Sequence, residues 1–193
     1  MGGPLELGKP VAEVLVEGEL SPFEHEALFQ ILRKRFILEQ PSYAELPDEN
    51  LVTRLNITFH HAYDLSFFTK VFQENWRDLK DLLEEVRHRR GKAGAAFNLT
   101  FIDKESRLVF RSGLLNSEEL KSAISQVGHL TGIINRMTGP GTVEEPLGLI
   151  QCVFDKKSDR WDGFRGFTLS DEKRVYAFDD NSFKWTRVEP GPA

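Results

Sequence analysis

Apolar positions along the chain recur with two different periods. "VAEVLVEGEL" (Val11–Leu20), "LVTRLNITF" (Leu51–Phe59), "AAFNLTFID" and "SRLVFRS" are apolar runs at or near a two-residue spacing, which predicts strands. Three longer stretches read as helices, two of them by a three- and four-residue spacing and one by its start signal. The first opens with Ser21-Pro22-Phe23-Glu24: a Ser cap, Pro at the first helical position and Glu three after the cap. It predicts a helix to about Leu38, stopping before Pro41, with "QPSYAELPDEN" as a loop.

The second predicted helix starts at Asp64 as N-cap and runs through "LSFFTKVFQENWRDLKDLLEEVRHRR" to a C-cap at Gly91. Its apolar seam reads Leu65, Phe68, Phe72, Leu79, Leu82 and Val86, interrupted at Asn75. The third opens with an Asn116/Glu119 capping box and carries Leu120, Ala123, Val127, Leu130, Ile134 and Met137. Gly128 and Gly132 lie beside that seam, where small residues allow close packing. After "TGPGTVEEP" only short β runs remain: "LGLIQCVF", "GFRGFTL", "RVYAFDD" and "FKWTRV".

Strands that alternate with helices before a β-rich tail define an α+β (mixed α/β) class. The expected layout is a two-layer sheet-and-helix core with three main helices and an antiparallel C-terminal β region. In chain order this gives a flexible leader (1–9), the core (10–145), a C-terminal β hairpin region packed on the same domain (146–189) and a tail (190–193).

The long helix connects the two pentapeptides "LNITF" and "FNLTF", and a strand–helix–strand crossover favours parallel strands in one sheet. Side chains alternate along a strand. Arg54, Asn56, Thr58 and His60 then share one face with Asn98 and Thr100, and the apolar partners share the other. That polar face is the candidate ligand site: amides and hydroxyls for hydrogen bonding, a cation, and a titratable imidazole. In an enzyme, His60 or His61 would serve as general base and Arg54 would hold an anionic substrate. The competing readings are a sheet face that is simply wet, or one that the C-terminal β region covers with paired polar groups.

Composition narrows the rest. The 193 residues are 40% hydrophobic and 28% charged, which suits a soluble globular chain long enough to bury a core. Fifteen Phe against three Tyr points to core filling rather than base stacking. The formal charge of -5 disfavours nucleic acid, and the basic run "RHRRGK" already suits a helix C-terminus. Cys152 is the single cysteine, so neither an internal disulfide nor a multi-thiolate zinc site can form.

"HHAYD" (His60–Asp64) matches no metal-ligand spacing, and Asp64 has a capping role; no metal and no cofactor are expected. No apolar run is long enough for a membrane span, and "MGGPLELGKP" lacks the basic and apolar regions of a signal peptide. A cytoplasmic protein is therefore expected, in which the two Asn-x-Thr triplets are coincidental. No catalytic motif stands out, so the reading is a binding or interaction protein. Its partner is a protein or a second copy, with a small anionic ligand as the alternative. Trp161, Tyr176 and Trp185 form a second candidate surface, because aromatics dominate interface hot spots. The alternative for them is an aromatic core tying the β region to the rest.

Overall fold

The computed structural model describes residues 8–45, 52–91, 94–104, 106–169 and 174–189. Most of the expected leader, the second half of the predicted "QPSYAELPDEN" loop, Glu105 of the predicted turn and the expected tail lie outside the described residues.

The elements are β1 (Val11–Gly18), α1 (Pro22–Arg33), β2 (Ile37–Leu38), β3 (Ser42–Ala44), β4 (Thr53–Phe59), a π-helical turn (Phe67–Val71), α2 (Gln73–Arg89), β5 (Ala95–Ile102), β6 (Arg107–Arg111), α3 (Ser117–Val127), α4 (Thr131–Met137), β7 (Leu147–Asp155), β8 (Arg160–Thr168), β9 (Val175–Asp179) and β10 (Lys184–Val188). The ten strands among the described residues join one mixed sheet in the order β10-β9-β8-β7-β6-β5-β4-β1-β2, with β3 also beside β1. The α+β class stands, but the layout differs from the expected one. The C-terminal strands are antiparallel to one another, yet β7 pairs in parallel with β6 and makes them the second half of the same sheet.

Alternation decides which face is covered. β4 buries every other residue: Thr53, Leu55, Ile57 and Phe59 lie inward, and Arg54, Asn56 and Thr58 lie between them, half-buried. The inward side chains of β1, β4, β5, β6 and β7 meet those of the helices in one apolar core. Its centre is aromatic, with Phe59, Phe67 and Phe101 packed at ring separations of 5.0–5.3 Å. Cys152 is fully buried there, and burial pushes its thiol well above the usual range, so it is a packing residue.

Three predicted helices are redrawn by tertiary contacts. The first ends at Arg33, and Ile37–Leu38 crosses instead to pair with β1. The second begins with the π turn, in which the Phe72 N–H donates to the Phe67 carbonyl at 2.8 Å. A π turn admits one extra residue and rotates the remainder of the helix about its axis. Phe67 and Phe72 therefore both point into the core with no exposure, and Leu65 of the predicted seam is 61% exposed. Asp64 still accepts the Phe67 N–H at 2.9 Å, as a cap should, so the predicted start of the turn is right and its register is not. The third splits at Gly128. Tyr63 donates its hydroxyl to the Val127 carbonyl at the break, and a Cβ on Gly128 would lie 3.5 Å from the Phe68 ring. Gly132 is exposed and packs against nothing within 4 Å, contrary to the expected close approach.

The aromatic residues of the C-terminal strands anchor this half of the sheet to the helices. Trp161 donates its indole N–H to the Ala123 carbonyl of α3 at 2.9 Å, and Trp185 donates to the Met137 carbonyl of α4 at 2.8 Å. Trp161→Phe will lower stability by about 1–2 kcal/mol, because a buried hydrogen bond and part of the indole packing are lost. Urea unfolding measures this; a change below half of that would mean the bond contributes little.

Candidate functional site

The polar residues anticipated on β4 and β5 do meet on one face. The two strands pair in parallel with Asn56 opposite Asn98 and Thr58 opposite Thr100, so the pentapeptides stand in register. Asn98 donates its side-chain amide to Asn56 Oδ1 at 2.7 Å, and Asn56 donates to Glu17 Oε2 at 2.8 Å and to the Leu15 carbonyl at 3.4 Å. The result is a ladder of amides, one rung per strand, ending on a carboxylate. Such a chain fixes the rotamer of each member, since every amide proton used locks the next acceptor.

β1 supplies carboxylates that the strand pattern of β4 and β5 does not reveal. Glu13 lies opposite Thr58 and Glu17 opposite Arg54 in the antiparallel β1–β4 pair. Arg54 and Glu17 approach to 3.6 Å, and His60 Nε2 meets Glu13 Oε1. The signal is present in "VAEVLVEG", where Glu13, Leu15 and Glu17 fall on alternate positions, but pairing to β4 is needed to bring it to this face.

These contacts bear on the anticipated roles. Arg54 is held by a carboxylate of its own chain, so it does not present a bare cation to an anion. His60 is exposed and faces solvent with Glu13 rather than an enclosed cleft. His61 turns away, with Nδ1 donating to the Ala62 carbonyl at 2.8 Å. Burial raises the Asp64 carboxyl, but hydrogen bonds from Ser66 and the Phe67 N–H, with His61 beside it, hold it below the usual carboxylate range. His60 thus diverges from His61 and Asp64, and among the described residues no three His, Cys, Asp or Glu gather as a metal site.

Two further groups move from expectation to a placed contact. Trp161, Tyr176 and Trp185 are each under 10% exposed, so they offer no partner surface in this fold; the aromatic-core alternative describes them. The physical reason is that each ring lies on the core side of its strand, where the two indoles reach carbonyls of α3 and α4. The arginines of "RHRRGK" are also engaged. Arg90 grips Glu24, Arg89 pairs with Glu85, and the buried Arg87 donates to the Leu115 and Gly91 carbonyls.

The same uncovered face continues past the ladder across β6, β7 and β8. Arg111 stands opposite Asn98, and Val109 opposite Thr100. Val109 faces Gln151, Arg111 faces Val153, and Arg165 faces Gln151 from the far side. Val153 is 50% exposed, and Leu149 and Phe167, half-buried, pair with each other beyond Gln151. Among the described residues Arg111 and Arg165 make no ion pair. No helix among the described residues is long and apolar enough to cross a membrane. Comparison with known proteins found no matching family model, no matching curated protein and no matching solved structure.

Proposed function

We propose that this is a binding protein that engages a protein partner through the uncovered face of its sheet. One observation carries the reading: the described helices all pack into a single core on one side, while the opposite side leaves Val153, Arg111 and Arg165 exposed and Leu149 and Phe167 half-buried. A sheet face with Leu149, Val153 and Phe167 flanked by Arg111 and Arg165 suits a partner that presents apolar and acidic groups. The amide ladder of Asn56 and Asn98, with Arg54, Thr58, His60 and Thr100 around it, forms the polar rim of that surface. Its rotamers are set before contact, which lowers the ordering cost of binding.

The anion-holding role foreseen for Arg54 passes to Arg111 in this reading, because Arg54 is already paired with Glu17. The test uses the purified chain as bait beside the double variant Arg111→Glu, Arg165→Glu, both on the exposed surface. Wild type is expected to retain a partner that the variant loses, with melting temperatures within about 2 °C of each other. Retention of the same proteins by both chains would defeat the proposal. Multi-angle light scattering of each chain identifies the case in which the partner is a second copy.

A further inference from the structure

At one end of the sheet, strands and helices line a cleft of about 570 Å³. It opens where the parallel strands β4 and β5 end and where β6 and β7 begin. α4 and the chain from Thr138 to Pro146 form its other wall. In open α/β sheets the crevice beyond the carboxyl ends of parallel strands is the common place for ligands, because backbone diverges there and leaves side chains room to converge. The volume falls within the range of roughly 300–1,000 Å³ that takes a small organic ligand.

The lining divides by depth. Phe101, Leu108, Ile134 and Ile150 form the floor, all buried. The rim carries Asp64, Asp103, Lys104 and Arg107, with Asn135 and Thr138 from α4 and its end. The two carboxylates are already engaged by their own turns: Asp64 by Ser66 Oγ at 2.6 Å and the Phe67 N–H, Asp103 by the Lys104 N–H at 2.7 Å. The two cations are not. Among the described residues the Lys104 ammonium and the Arg107 guanidinium have no carboxylate partner.

From this asymmetry we infer that the cleft binds a small amphipathic acid, an apolar body seated on the Phe101–Ile150 floor with one anionic group at Lys104 and Arg107. The apolar body supplies affinity by area removed from water. The cations set the orientation, and a carboxylate can meet the Arg107 fork with two hydrogen bonds. An amine of the same shape would offer these two cations no acceptor, although Asp64 and Asp103, whose partners are neutral donors, keep their charge. Arg107 shares its strand face with Val109 and Arg111, but Arg111 and Arg165 do not line the cleft, so either proposal can fail alone.

The experiment titrates isotope-labelled protein with decanoate and tracks the methyl resonances of Ile134 and Ile150, with decylammonium as the charge control. Decanoate is expected to move both methyls with single-site saturation, and decylammonium to bind at least tenfold more weakly. Lys104→Glu with Arg107→Glu should weaken decanoate by tenfold or more. Thr138→Trp, an exposed position on the cleft wall, should remove the shifts by filling the space. Unmoved methyls at saturating decanoate would overturn the site. Equal binding of decylammonium, or decanoate binding unchanged in the charge variant, would overturn the anionic assignment.

Discussion

Phe67→Ala will destabilise the protein by about 3–5 kcal/mol, and Leu65→Ala will change it by no more than about 0.5 kcal/mol. The pair of results separates two registers of the same segment. Phe67 has no exposure and sits among Phe59, Phe72 and Phe101, with its ring at 5.0–5.8 Å from each. Truncation removes all of those contacts and leaves a cavity that the surrounding strands are too rigid to close. For a chain of this length the loss corresponds to a fall of roughly 6–20 °C in melting temperature. Leu65 projects into solvent and has no such contacts to lose. A straight α-helix from Asp64 would reverse the ranking, since its apolar seam starts at Leu65. Thermal unfolding of the two variants side by side therefore decides whether the π turn exists in solution.

The second large effect belongs to Glu24. Its side chain is fully buried between α1 and the end of α2, where Arg90 donates to both oxygens at 3.0 and 2.6 Å. The same carboxylate accepts the Ser21 N–H at 2.9 Å and closes the capping box of α1. One group thus ties a helix start to a helix end, and Arg90 goes on to reach Thr53 Oγ1 at 2.9 Å in β4. Glu24→Ala leaves the Arg90 guanidinium, itself mostly buried, without its counter-charge; about 3–5 kcal/mol is expected to be lost. Chemical denaturation of Glu24→Ala, Arg90→Ala and the double variant should return a coupling of about 1–3 kcal/mol. Strict additivity would mean that the pair does not form.

The pair also has a pH signature. Burial raises the Glu24 carboxyl, but the Arg90 guanidinium and the Ser21 contacts outweigh that and hold it below the usual carboxylate range. A carboxyl lowered in the folded state contributes stability that is complete above its unfolded pKa, about 4.3. That contribution is lost as the pH falls through the lowered folded value. Wild type should accordingly lose melting temperature through that acid window more steeply than Glu24→Gln. Asp64, lowered by its own turn, supplies a remaining acid limb in both chains.

Local chemistry alone determined a good part of this protein. Both capping boxes, Ser21 with Glu24 and Asn116 with Glu119, form as written, because a cap is satisfied by groups three residues apart. The alternation in "RLNITF" and "AFNLTF" settled which residues share a face, and the intervening helix implied the parallel pairing that puts Asn56 beside Asn98. These features need only periodicity and short-range geometry. Contacts between distant residues decided the others. The π turn arises because Phe67 and Phe72 both fit the aromatic core, a gain that the local pattern cannot anticipate. The break after Val127 is stabilised by the hydroxyl of Tyr63, which lies at the start of the crossover from β4 to β5. Glu17 neutralises Arg54 only once β1 lies antiparallel to β4, and Trp161 and Trp185 become core only once α3 and α4 cover them. Spacing along the chain fixes which way a side chain faces within its own element, but the element's neighbours fix what that side chain meets.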